Sequence, residues 1–502
     1  MKMVKSLLLG SAAGLVAVVG AQAADLPVKA KPVEYVKICS LYGVGFYYIP
    51  GTDTCIKIGG FLRAEWNWDA GGSFATGAAF GGAGGRNDRD YNQLVSRARG
   101  IMTFDVRTQT EYGTLRSYLR AGWQWSTGDD IGVGSGVRGG SPATYIDRAF
   151  IQFAGFTFGR TQSFFDFFIF PQYSNQTNIL TGDTGGTGTN LIAYTAQFGN
   201  GLSASVALEE NFIRRRGVVD YFENTLTALS VNPVTDDAGQ TIPDVVANLR
   251  IDQAWGSAQI MGALHYLKPL YLGADLNTNP SVGDEWGWAV GAGVTVNLPW
   301  MKGDTASFQV NYCDGATGYC WASAAGIGVN LSGAQTFTRY DANNNVGAGV
   351  VIDAIYGRVG AAAAGAIVGI EKIKSWGIYA GIEHYWTPAL RTSLYGGYGE
   401  MDYSGGATAL ICSAPFAGGV ITGTTITNCD PDFGLWQIGS RTVWNPVRNL
   451  DLSVDVLYTN LDTAFGGAAT LPANVTRPAT VGVFDDQNVL SAMFRVQRNF
   501  WP

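Results

Sequence analysis

The sequence predicts an all-β fold, a transmembrane antiparallel β-barrel of about sixteen strands with its third long loop folded inward, and three observations lead there. Segments of alternating apolar and polar residues recur along nearly the whole chain. The connections between them alternate between short turns and long Gly/Ala/Asn-rich stretches. Beyond residue 23 no run of eighteen apolar residues occurs, so helices cannot carry the chain across a bilayer. In lipid every backbone N–H and C=O must be paired, and among sheets only a closed barrel leaves no edge.

Met1 to Ala23 carries Lys2 and Lys5, the apolar run Leu7 to Val19, and then Ala21-Gln22-Ala23. This is the pattern of a cleaved export signal, residues 1–23, and the apolar run is too short for a membrane anchor. Losing Lys2 and Lys5 leaves 31 of the 33 basic residues against 40 acidic ones, a formal charge of −9. That balance argues against nucleic acid as a partner. The six cysteines fall into couples close in sequence: Cys39 with Cys55, Cys313 with Cys320, and Cys412 with Cys429. In an oxidising compartment they read as three local staples, although six cysteines allow other connectivities. A metal site is disfavoured, since no CxxC spacing occurs and the two histidines, His265 and His384, lie far from every cysteine. No metal or cofactor is expected.

Residues 24–55 suit an irregular lead-in with Pro27 and Pro32, tied to the first strand by Cys39 and Cys55; residues 56–502 form the barrel. Alternation begins at Ile56, with Ile58, Leu62, Ala64, Trp66 and Trp68 on one face and Lys57, Phe61, Arg63, Glu65 and Asn67 on the other. It recurs over 95–108 and 114–125. Further strands are expected near 144–154, 156–161, 191–198, 202–209, 246–253, 258–267, 286–298, 305–312, 373–386, 390–403, 433–445, 450–464 and 487–500. The long connections cover about 70–94, 126–143, 162–190, 210–245, 268–285, 313–372, 404–432 and 465–486. The third of these, 162–190, has no periodicity but is rich in phenylalanine, including Phe164, Phe165, Phe167, Phe168 and Phe170. A solvated tail would not carry so many apolar groups, so the segment is expected to fold back into the lumen and narrow it. Trp66, Trp68, Trp123, Trp125, Trp286, Trp288, Trp386 and Trp444 lie near strand ends and suit girdles at the two membrane interfaces.

The stretches CSLYGVGFYYIPGTDTCIKIGG (Cys39 to Gly60), AGFTFGRTQSFFDFF (Ala154 to Phe168) and HYWTPALRTSLYGGY (His384 to Tyr398) resemble the general-diffusion porins of the alphaproteobacterial type. The resemblance spans essentially the whole mature chain. It implies a sixteen-stranded, trimeric barrel in the outer membrane, with the third loop forming an eyelet. The C-terminus departs from the pattern: Phe500 keeps the outward register of Ala492, Phe494 and Val496, but Trp501-Pro502 follow, and Arg498 stands where an apolar residue is expected.

Strand parity puts Arg97, Arg99, Arg107, Arg116 and Arg120 on the lumen side of two neighbouring strands, with Arg148 joining from the next. The pore constriction is therefore expected to have Arg97, Arg99, Arg116, Arg120 and Arg148 as its basic side and Asp166 and Asp183, from the inserted loop, as its acidic side. No P-loop, HExxH or GxSxG pattern occurs and neither histidine has an evident partner, so no catalytic residue and no enzyme activity is expected. The expected function is a passive, water-filled channel for small hydrophilic solutes and ions, with outer-membrane lipid and two further copies of the chain as partners. One alternative is a substrate-specific channel for sugar or phosphate, which an aromatic or basic track through Tyr118 and its neighbours would mark. A soluble secreted β-protein is the other.

Overall fold

Period-2 patterning becomes sheet here because each strand buries one row of side chains and presents the other outward. The computed structural model describes residues 37–68, 94–126, 141–168, 172–176, 180, 182–185, 188–220, 238–269, 282–321, 335–340, 344–358, 367–413, 425–471 and 480–500. The expected export signal, the start of the lead-in, Ile169, Phe170, Gly186 and Trp501-Pro502 lie outside the described residues.

Sixteen strands form the wall. They are β1 (Cys55–Trp68), β2 (Leu94–Thr110), β3 (Gly113–Ser126), β4 (Ser141–Phe153), β5 (Phe156–Thr161), β6 (Thr189–Gly199), β7 (Leu202–Glu209) and β8 (Asp244–Gln253). The second half comprises β9 (Gly256–Leu267), β10 (Glu285–Asn297), β11 (Thr305–Asp314), β12 (Lys374–Thr387), β13 (Leu390–Asp402), β14 (Phe433–Trp444), β15 (Leu450–Asp462) and β16 (Gln487–Asn499). Each pairs antiparallel with the next, and β1 pairs with β16 from Phe61↔Asn499 to Trp68↔Ala492, which closes the barrel.

Leu62, Val206, Ile260, Leu394, Ile438 and Leu490 are all more than half exposed, while Ser205, Gln259, Ser393, Gln437 and Ser491 from the same strands are buried. Such an apolar exterior is the reverse of a water-soluble protein and suits a lipid environment. Trp66, Trp68, Trp123, Trp125 and Trp286 are exposed toward the long-loop end, and Trp255, Trp300, Trp386 and Trp444 toward the short-turn end, giving two girdles. The turns Ala154-Gly155 (φ 49° and 85°) and Asn200-Gly201 (φ 52° and 75°) place both central residues in the left-handed region. Two-residue hairpins of type I′ require this, and it matches the twist of the flanking strands.

The long connections are more ordered than their composition suggests. Strands Asn345–Val351 and Ala354–Arg358 are buried almost throughout, and Val346, Ala348 and Val350 pack in one cluster with Phe433, Leu435 and Leu461 from β14 and β15 and with Phe465 and Phe484. Apolar loop residues thus cover inward-facing apolar residues at that end of the wall. The cysteine couples are bonded as Cys39–Cys55, Cys313–Cys320 and Cys412–Cys429. The first joins the lead-in to β1. The second holds the 3-10 turn Thr317–Tyr319 beside β11. At the C-terminus, Phe494 stacks on Trp66 on the outer wall, and the Arg498 guanidinium caps the carbonyls of Arg448, Asn449 and Asn499. Those carbonyl contacts explain the arginine in an otherwise apolar register.

Candidate functional site

The lumen is organised by the loop after β5, whose described residues, 162–168, 172–176, 180, 182–185 and 188, meet the inner wall on opposite sides. At its start, the Phe164 N–H donates to the Glu209 carboxylate (2.8 Å) and the Phe164 carbonyl accepts from Asn248 Nδ2 (2.6 Å). Midway, the Phe168 N–H donates to Gln309 Oε1 on β11, and its ring lies 4.7 Å from Tyr379 on β12. Tyr173 shares its hydroxyl with Thr305 and Ser307 of β11, both at 2.9 Å. At the far wall the Asn175 N–H donates to Asp455 on β15 (2.5 Å), and Arg495 on β16 donates to the Asn175 side-chain and backbone oxygens (2.7 and 2.9 Å). Arg441 on β14 donates to the carbonyls of Gln172 and Ser174 and is paired with Glu383 at 2.9 Å. The phenylalanines supply packing, and the wall's inward polar residues satisfy the irregular backbone of the loop.

The expected acidic side of the constriction needs correction. Asp166 and Asp183 are only 6 % and 5 % exposed, so neither presents its charge to open water. Asp166 accepts from the Thr184 N–H and hydroxyl and is ion-paired with Arg214. Arg214 also donates to the carbonyls of Gly182 (2.6 Å) and Gly318 (3.0 Å), and its guanidinium lies 4.5 Å from the Tyr319 ring. Burial opposes its charge, but Asp166, with Tyr319, Glu209 and Asp183 nearby, holds its pKa above the ordinary guanidinium value. A loop carboxylate within reach of a buried guanidinium from the next long loop is drawn into that pair, away from water.

The predicted arginines lie on the inward row of β2–β4, and Arg63 continues that row onto β1. Three wall acids underlie it. Glu65 accepts from Arg97 Nε (2.6 Å) and Arg495 Nε (2.7 Å), and Arg63 Nη1 lies 3.6 Å away. Asp105 receives both Arg107 and Arg116, and Asp147 lies 3.2 Å from Arg120. Arg99 donates to Gln124 Oε1, at 2.6 Å from Nη2. Arg148 donates to the Gly185 carbonyl (2.8 Å), joining the row to the loop. The register slips between Arg120 and Ala121, so β4 is bulged and both Asp147 and Arg148 turn inward. The four strands carry Lys57, Arg63, Arg97, Arg99, Arg107, Arg116, Arg120 and Arg148 against Glu65, Asp105 and Asp147. Asp105 and Asp147 side chains are 9 % and 7 % exposed, whereas those of Arg116 and Arg120 are 28 % and 31 % exposed. The lumen water on this side therefore meets mostly positive charge.

Both histidines have partners that sequence proximity does not reveal. His265 is buried, with Nδ1 2.8 Å from Asp244 and Nε2 3.6 Å from Asp353, and His384 Nδ1 lies 2.6 Å from Asp304. Sequence reasoning also missed Arg214, Glu209, Arg441, Asp455 and Arg495 as loop anchors. Parity along β7, β14, β15 and β16 already points the last four inward, which was the available signal; Arg214 lies in a loop and had none.

A family model described as the porin subfamily matches residues 25–493. The porin Omp2b of Brucella suis is 30 % identical over 355 residues, covering 68 % of this chain and 85 % of that protein. The porin Omp2a of Brucella melitensis biotype 1 is 32 % identical over 367 residues, covering 68 % and 86 %. Among solved structures, the outer membrane channel DcaP of Acinetobacter baumannii superposes with a TM-score of 0.55 at 16 % identity, over 90 % of this chain and 99 % of that one, a likeness of fold. Given a closed sixteen-stranded barrel with an apolar exterior, a polar lumen and an inserted third loop, the chain belongs to the porin subfamily and is a diffusion channel of the outer membrane.

Proposed function

We propose that this porin passes small hydrophilic solutes and ions by passive diffusion through a water-filled lumen, and that its narrow section favours anions. The observation that carries the preference is the arginine row of β1–β4, whose partner acids lie deeper in the wall than the guanidiniums they balance. Arg97, Arg99, Arg116, Arg120 and Arg148 form the basic side of the constriction. Asp166 and Asp183 hold the loop in place and do not act as its acidic face. The proposed role of the protein is transport alone, with no enzymatic step.

A planar-bilayer recording under a KCl gradient tests this reading. The wild type is expected to show a reversal potential on the anion side. Replacing Arg116 and Arg120 by Gln should move it toward cations, since a unit charge at 4 Å in water is worth about 1 kcal/mol, several-fold in relative permeability. An unchanged reversal potential would place the selective section elsewhere in the lumen.

We further propose that three copies assemble through the outer faces of β1 and β16, where Leu62, Phe494 and Val496 make an apolar patch. Removing that patch from lipid replaces a lipid contact by a packed protein one. Cross-linking or native mass measurement in mild detergent should give three copies. A stable monomer with full channel activity would count against it.

A further inference from the structure

The lumen wall of β1–β4 alternates in chemistry as it rises. The register from β1 to β4 sets residues side by side in tiers two positions apart, about 7 Å per step. Nearest the short turns, Arg107 and Arg116 stand opposite each other. One step up come Tyr118 and Phe150, paired across β3 and β4 with ring centroids 5.2 Å apart and nearly parallel. The next tier is Arg120 opposite Arg148. Above it are Phe61, on the β1 side, and Tyr145, beside Gly122. Arg63 opposite Arg99 completes the series.

Cations and rings also touch between tiers. The Arg116 guanidinium lies 5.1 Å from the Tyr118 ring and 5.4 Å from Phe150; Arg63 lies 4.6 Å from Phe61, and Arg99 5.1 Å from Tyr145. A guanidinium packed against a ring loses rotational freedom; the Nε and Nη2 of Arg116 are given to Asp105 and those of Arg99 to Gln124, so an anion meets their positive charge and the remaining Nη hydrogens. None of the four rings is fully buried.

We infer that this ladder is a transit path for organic anions with a flat apolar body, aromatic carboxylates above all. A guanidinium tier attracts the carboxylate by its charge, the adjoining ring tier stacks against the body, and the next tier repeats the offer one step on. A path for inorganic anions has no use for the rings. One for neutral sugars would set uncharged donors and acceptors between them, where this wall sets arginines. The inference rests on the channel reading above and names a solute class within it.

The test uses the intact protein in planar bilayers, with potassium benzoate, cyclohexanecarboxylate and acetate as probes against a KCl background. Benzoate is expected to interrupt the chloride current at a concentration roughly fivefold below that of cyclohexanecarboxylate, with acetate weaker still. Replacing Tyr118 and Phe150 together by Leu should bring the benzoate to cyclohexanecarboxylate ratio close to one. Equal action of the two probes on the wild type overturns the ladder, as does an unchanged ratio in the Leu variant. If the Leu variant does not insert, the wild-type comparison alone decides. A wild type without KCl conductance would instead refute the channel reading on which the ladder rests.

Discussion

Arg214→Met is expected to loosen the constriction loop and to lower barrel stability by about 3–5 kcal/mol, the usual cost of stranding one member of a buried ion pair. The Arg214 side chain is 2 % exposed and that of Asp166 is fully buried, so no water replaces the lost guanidinium. Its hydrogen bonds to the Gly182 and Gly318 carbonyls vanish as well, and these join the loop to the long connection after β11. Single-channel recordings should show a larger, noisier conductance, and limited proteolysis should cut within 162–188 where the wild type resists. Adding Asp166→Asn removes the stranded charge and should recover part of the stability. A single variant with wild-type conductance and an unchanged unfolding midpoint would show that the loop is held by its other anchors.

Glu65→Gln should produce the second large effect, at the seam where the barrel closes. Glu65 stands opposite Arg97 on β2 and opposite Arg495 on β16, and it is fully buried. A neutral amide there leaves Arg63, Arg97 and Arg495 facing one another with little water between them. The loss should again be about 3–5 kcal/mol, read as a lower temperature for the heat-dependent gel shift. The reversal potential should move further toward anions, because a negative charge leaves the wall while its cations stay. Pairing Glu65→Gln with Arg97→Gln should return both readings part of the way. If Glu65→Gln alone leaves both readings untouched, the charge balance of the seam is set by other groups.

Glu65 and Asp166 show why wall and loop differ in legibility. On the wall, a residue's side of the sheet follows from counting by two, so the inward aim of Glu65, Arg97 and Arg99 can be read before any coordinates exist. Which of them touch depends on strand register, and that is a property of pairs of strands. The loop has no period to count, and the fate of Asp166 was decided by an arginine 48 positions later.

By itself the sequence determined the number and order of the strands, the lipid and lumen faces, the alternation of short and long connections, the cysteine couples and the inward course of the third loop. Each of these is carried by local patterning or composition, where neighbours along the chain are neighbours in space. Only the tertiary structure decided that β4 is bulged beside Arg148, so that Asp147 shares the lumen side with the arginine already expected there. It also decided that His265 lies between Asp244 and Asp353, that the long connections cover part of one end with strands of their own, and that the loop acids are buried. These outcomes turn on contacts between groups far apart in sequence, whose energies depend on which charges and apolar surfaces are left facing each other once the barrel has closed.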